Sequence, residues 1–336
     1  MRRLVIDEAS AGQRLDNFLM GLLKGVPKTH VYRVIRSGEV RVNRGRASAD
    51  TRLSLGDEVR VPPVRVAERA AALPAPAREF PILFEDDHLL AIDKPAGVAV
   101  HGGSGVSFGV IEQLRRARPE ARFLELVHRL DRETSGVLLL AKRRSALTHV
   151  QDQFRAQGVG RPVSKVYGAL VCGDWPDRRK VIDTPLRKDL GPEGERIVRV
   201  TSAEDEEAMR ALTLVSVARR WPGFTLLDVT LKTGRTHQIR VHLASCGHPI
   251  VGDERYGDFA LNKQLARPSG MAEAAPRLDR MFLHARRLSL THPGTGEVLT
   301  LEAPLPPACT AFLTALGDNR PPSPSPTPSP RRPTSP

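Results

Sequence analysis

A chain of 336 residues with 40% hydrophobic content is long enough for two domains, and with only 4% aromatic residues its core must be largely aliphatic. Its 51 basic against 38 acidic side chains leave a net charge of +13, which points to a polyanionic partner, nucleic acid ahead of an anionic membrane surface. No apolar run approaches the roughly 20 residues that span a bilayer, the start lacks a secretory pattern, and Cys172, Cys246 and Cys309 form no CxxC or Cys/His cluster; membrane, secreted, zinc and disulfide classes are set aside, and the cytoplasm is the expected location.

The first element is RLDNFLMGLL, where Leu15, Phe18, Leu19 and Leu22 follow the i, i+3, i+4, i+7 spacing of one helix face. THVYRVIRSG predicts a second helix that stops near Gly38; EVRVN, with Val40 and Val42 alternating with polar residues, and LSLGDEVRV, with a turn at Gly56-Asp57, predict two short strands. Arg33, Arg36, Arg41, Arg44 and Arg46 stud this unit, which ends near Pro62-Pro63. The order and spacing of RLDNFL, IRSGEVRVN and LGDEV over residues 12 to 64 resemble the S4-type RNA-binding domain, and the resemblance implies that these arginines meet RNA.

RVAERAAALPAPAR then reads as a linker. Beyond it come short strands such as HLLAID, VLLLAK, KVYGALV and TLLDVTLK, and one clear helix, SALTHVQDQFRAQG, with Leu147, Val150 and Phe154 on one face. Strands outnumber helices without alternating strictly with them, which predicts an α+β fold rather than a doubly wound sheet. The closing RPPSPSPTPSPRRPTSP is low-complexity sequence expected to be disordered.

Four stretches carry chemical interest. HRLDRETSG precedes the strand Val137 to Ala141, so Asp131 belongs to a loop at a strand edge, with Arg129 and Arg132 beside it to keep it ionised. An ionised, positioned aspartate serves as base or nucleophile, although taken alone such a residue is more often a surface salt-bridge partner. In KVYGALV, Tyr167 shares a face with Lys165, Ala169 and Val171; it suits stacking on a base, and spacing alone favours core packing. In LKTGRTHQIRVHLASCGHP, Thr236 is the expected N-cap of a helix with Ile239, Leu243 and Cys246 on one side and a stop at Gly247. Arg235 then stands at the helix entrance, where it suits a phosphate or the Asp131 carboxylate, while His237 and His242 read as packing or hydrogen-bonding residues. Gly102, Gly103 and Gly105 of HGGSG are consistent equally with close approach to a sugar-phosphate chain and with a flexible loop; the run is neither a P-loop nor a dinucleotide fingerprint.

HRLDRETSG, KVYGALV, TGRTHQIRVH and FLHA, together and in this order, resemble the RluA-type family of pseudouridine synthases from about Phe80 to Pro304, and HGGSGVSFGVIE is most similar to its C-type branch. The resemblance implies a catalytic domain over residues 80 to 318 built on a mixed, mainly antiparallel sheet, behind an RNA-binding domain over 1 to 64, a linker over 65 to 79 and a tail over 319 to 336. It implies isomerisation of uridine to pseudouridine in 23S ribosomal RNA with Asp131 as the catalytic aspartate, Arg129 assisting base flipping, Tyr167 packing on the base, Arg235 pairing with the aspartate and Leu283 lining the uracil pocket. His101 and His128 join the residues expected to touch RNA, and neither metal, cofactor nor second subunit is called for. The sequence departs from the family in GVGRPVSKVYGALV, a few residues longer than expected before Lys165, and in its Pro/Ser tail. Two other classes fit parts of the chain: a non-catalytic RNA-binding or ribosome-assembly protein, which would need no Asp131, and a glycoside hydrolase, which would need a second carboxylate.

Overall fold

The computed structural model describes residues 2–23, 25–64, 75–103, 106–155, 163–190, 196–266 and 277–318. Most of the expected linker, the Gly158 to Pro162 part of the long approach to Lys165 and the Pro/Ser tail therefore lie outside the described residues. In chain order the elements are β1 (Arg2–Val5), α1 (Leu15–Leu22), α2 (Lys28–Arg36), β2 (Arg41–Val42), β3 (Glu58–Val61), β4 (Ile82–Glu85), β5 (Leu89–Lys94), α3 (Val110–Ala117), β6 (Glu125–Leu126), β7 (Ser135–Ala141) and α4 (Arg144–Arg155). There follow β8 (Ser164–Cys172), β9 (Val181–Asp183), β10 (Leu186–Leu190), β11 (Arg196–Val200), β12 (Leu212–Trp221), β13 (Phe224–Leu231), α5 (Gln238–Ser245), α6 (Phe259–Ala266), β14 (Leu283–Thr291), β15 (Val298–Glu302) and α7 (Pro307–Asp318). The class is α+β, as expected from strands that outnumber helices.

Contacts group the chain into two compact units, one of residues 1–167, 230–236 and 283–304, the other of 168–229, 237–282 and 305–336. Within the first, the N-terminal region has a core of its own: Leu15 and Leu19 of α1, Val31, Val34 and Ile35 of α2, and Val59 and Val61 of β3 are all buried together. Both helices lie where the periodicity places them, and Gly38 ends the second with φ 74°, a left-handed turn that glycine adopts without strain. The sheet has the order β1-β3-β2, so the RRLV segment, too short to show alternation, becomes a strand by pairing with β3. Asp16 is buried yet satisfied: Arg14 donates to it at 2.7 and 3.1 Å and the Tyr32 hydroxyl at 3.2 Å. The Arg14 guanidinium holds its carboxyl below the ordinary range, so the RLD of this region is structural.

The remainder of the first unit is built on β7. Every residue of β7 is buried, between antiparallel β5, antiparallel β6 and parallel β14, while β4 extends the sheet past β5 and β15 pairs with β14. Helix α4 lays Ala146, Leu147 and Val150 on Leu139, Leu288 and Leu290, and these aliphatic contacts form the core that fixes β7 and β14. The second unit runs through β13, β12 and β9, with a separate hairpin of β10 and β11. Its core joins Leu170, Trp221, Phe282 and Phe312, and the unit also buries a bidentate Arg240–Asp253 pair at 2.7 and 2.8 Å. The three cysteines are free, and no helix among the described residues is long and apolar enough to cross a membrane.

Candidate active site

The ends of four elements in the first unit meet at one place. β7 and β14 are parallel, with His284 opposite Ser135 and Ala285 opposite Gly136, so both strands start at the same edge and Leu283 comes level with Thr134. β5 is antiparallel to β7 with Lys94 opposite Gly136, which brings its C-terminal end to that same edge. A Cβ atom on Gly234 would lie 3.8 Å from Lys165 Nζ, so the loop after β13, which carries Arg235, runs beside the start of β8, which carries Tyr167.

Asp131 stands in the loop between β6 and β7, as its motif predicts, and that loop is anchored on both sides. Before it, Leu139 of β7 accepts from the Val127 amide at 3.0 Å and donates to His128 Nε2 at 3.1 Å. After it, Lys94 Nζ donates to the carbonyls of Pro95 and Val98 at 2.7 Å and of Arg132 at 3.1 Å, while Arg132 Nε donates to Gly97 O at 3.0 Å. Lys94 is fully buried, and these carbonyl dipoles help to offset its charge. Lys94→Met would leave three carbonyls short of a donor in a buried place. We expect it to cost about 3 kcal/mol or more, read as a fall in melting temperature, and to slow turnover as the Asp131 loop loses its anchor. A variant that melts like the wild type would show that these bonds are dispensable.

The other expected residues occupy distinct surroundings. Tyr167 is buried, and its phenol pKa is raised by burial and then by the nearby Asp131 charge, which keeps the ring neutral. Leu283 is buried at the head of β14. Arg235 and Arg129 are exposed; Arg129 has no hydrogen-bond or ion-pair partner among the described residues. The helix after Arg235 begins one residue later than expected, at Gln238. His237, not Thr236, is its N-cap, in a left-handed conformation with φ 54° that breaks the helical path. His237 and His242 meet Tyr256 and Thr213 through hydrogen bonds at 2.9 Å. Among the described residues no cluster of His, Cys, Asp or Glu is arranged to hold a metal ion.

The residues expected to touch RNA divide in two. Arg33, Arg36, Arg44 and Arg46 are exposed, Arg41 is partly so, and none of the five has a carboxylate partner among the described residues. His101 is exposed next to the glycine run, whose Gly102 amide is taken by Glu112 Oε2 at 3.1 Å. His128, by contrast, is engaged by the protein itself, with its ring 5.7 Å from that of Phe154. Burial, and after it the Lys165 charge, lower its pKa to about 4, so the ring is neutral at physiological pH. An unfolded chain would protonate this histidine first, near the ordinary value of about 6.5. Its contribution is therefore neutral above that pH, and stability is lost as pH falls from about 6.5 towards 4. Denaturant titrations at pH 7.5 and pH 5 are expected to show a smaller pH dependence in His128→Gln than in the wild type.

Residues 88–245 match the family model described as RNA pseudouridylate synthase, and residues 13–59 match that of the S4 domain. The chain is 52% identical over 308 residues to the ribosomal large subunit pseudouridine synthase C of Escherichia coli strain K12, a match that covers 90% of this chain and 92% of the relative. The chain belongs to the RNA pseudouridylate synthase family. The enzyme of the same description from Yersinia pestis is 50% identical over 322 residues, covering 94% and 96% of the two chains. Among solved structures, human RNA pseudouridylate synthase domain containing 4 is similar to 70% of this chain and 93% of its own, at 27% identity and a TM-score of 0.55. Within this family member, sequence reasoning passed over Lys94 and Gly136. A lysine that ends the apolar run LLAID was the available signal for the first, since a charge at the close of a buried strand needs an internal partner.

Proposed function

We propose that this protein converts uridine to pseudouridine in large-subunit ribosomal RNA, the 23S molecule or its precursor, with Asp131 as the catalytic residue. The observation that carries the reading is the ionisable Asp131, held in an anchored loop against a buried, neutral Tyr167, in a chain whose relatives are named for this activity. A uridine within folded RNA must leave its stack to reach such a place, and Arg129, exposed beside Asp131, is positioned to take the vacated space. Tyr167 and Leu283 offer the flipped base an aromatic face and an apolar wall.

Asp131 then attacks the ribose at carbon 1′, or assists removal of a proton from the sugar, as the bond to uracil nitrogen 1 breaks. Uracil turns and carbon 5 bonds to carbon 1′ as the bond between Asp131 and carbon 1′ breaks or, on the other route, as the sugar regains the proton it gave up; the hydrogen of carbon 5 then leaves to water while nitrogen 1 gains a proton, so the composition of the nucleoside is unchanged. Arg235 supports the aspartate's charge. Closure against water matters, because hydrolysis at carbon 1′ would end in base loss. The N-terminal arginines supply sequence-independent grip on RNA, which weakens steeply with salt. All these residues come from one chain, so a monomer suffices, and a cytoplasmic location follows from the substrate.

The test uses unmodified 23S RNA carrying tritium at uracil carbon 5. The purified protein is expected to release tritium, and chemical mapping of ribosomal RNA from cells lacking it should show the uridines it modifies. No release from any large-subunit RNA, together with an unchanged map, would overturn the reading.

A further inference from the structure

Lys165 has no anionic counterpart among the described residues and, unlike the exposed Arg129, it is half-buried. Lys165 lies two residues before Tyr167 in β8, so the two side chains leave the strand on the same side, roughly 6.6 Å apart along it. Its ammonium stands 5.1 Å from the centroid of the Phe154 ring and beside the backbone of Gly234, the residue before Arg235. Among the described residues it has neither a hydrogen bond nor an ion pair with a carboxylate. Burial lowers its pKa, and no neighbouring acid offsets that effect. The imidazole nearby is neutral His128, which neither pairs with the ammonium nor competes with it. The attraction of a cation to an aromatic ring is weaker than the cost of desolvating the charge. A half-buried ammonium kept in this condition is suited to an anion that arrives from outside.

The substrate supplies one kind of formal negative charge. Uracil and ribose are neutral, and each nucleotide brings a single phosphodiester. We propose that Lys165 grips a phosphodiester flanking the flipped uridine while the base rests on Tyr167, and that Phe154 holds the ammonium in place for it. This assigns Lys165 a role distinct from that of the N-terminal arginines: it fixes one phosphate at the reacting nucleotide, whereas they bind the RNA at large. The proposal rests on the reading of the site as one that takes uridine in RNA.

The test compares wild type, Lys165→Met and Lys165→Arg in the full chain. Binding to a 23S RNA fragment is measured across a salt series in an Asp131→Asn background, and tritium release is measured with Asp131 intact. Loss of one phosphate contact from an unpaired strand flattens the slope of log affinity against log salt by about 0.7, and we expect this in Lys165→Met, with kcat/KM reduced about tenfold at low salt. Lys165→Arg should restore the slope. An unchanged slope with a fall in kcat at saturating RNA would overturn the proposal and place the ammonium on the uracil or in packing alone. Should Lys165→Met fail to fold, acetylation of Lys165 in the wild-type protein decides the matter, because bound RNA must protect it; equal labelling with and without RNA refutes the grip. Failure of the parent reading looks different, since the wild type would then release no tritium.

Discussion

Replacing Asp131 by asparagine is expected to abolish tritium release from uracil carbon 5 while leaving RNA binding within a few-fold of wild type. A positioned base contributes about 10²–10⁴ in rate, and an amide cannot stand in for a carboxylate that attacks or accepts a proton, so the fall should lie at the top of that range or beyond. Asparagine is close in shape to aspartate, and Lys94, Arg132, His128 and Leu139 hold the loop through bonds that the substitution leaves intact, so the fold should persist. Melting temperature and filter binding are the controls, and single-turnover tritium release is the readout. Turnover within tenfold of wild type would move the chemistry to another residue.

The sequence made Asp131 legible because its motif is contiguous. A loop carrying HRLDRETSG between two apolar stretches needs no long-range pairing to be placed at a strand edge. Tyr167 was harder, since its alternation with buried neighbours favoured packing, and it is both buried and near enough to Asp131 to feel its charge. Burial is compatible with the proposed role, because a ring that is to receive a base must itself stay dry. Lys94 was missed for a different reason. Its partners include Arg132, 38 residues away, and only the antiparallel pairing of β5 with β7 brings them together.

The fold shows the same division. α1, α2 and α4 follow from one-faced periodicity in continuous segments. β1 does not, because RRLV has little apolar content and becomes a strand only through its partner β3. α3 follows a glycine-rich stretch whose local signals read as loop, and Glu112 in its first turn binds the Gly102 and Gly109 amides across that stretch. Helix α5 was placed correctly but started too early, since threonine is a favoured cap and nothing in the sequence marks His237 as the left-handed residue.

Gly136 offers the second large effect, and it joins the fold to the site. Its φ of 109° lies where side-chain-bearing residues are strained, and a Cβ there would come within 2.8 Å of the Ala285 C and N atoms and closer still to its oxygen. Those are backbone atoms of β14, so relief requires the two parallel strands to separate. Strain at such a conformation costs about 1–3 kcal/mol and overpacking about 1–3 more, so Gly136→Ala is expected to lose about 2–6 kcal/mol in all. The damage would fall where Ser135 Oγ meets buried His284 Nδ1 at 2.9 Å, with Asp131 on one strand approach and Leu283 on the other. Residual folded protein should therefore bind RNA through its N-terminal arginines yet turn over poorly. Thermal melting and tritium release at a temperature below the variant's transition separate the two effects. A variant that melts and reacts like wild type would show that β7 and β14 can part at this point without disturbing the site, and would remove the close strand contact as the reason for glycine in TSG.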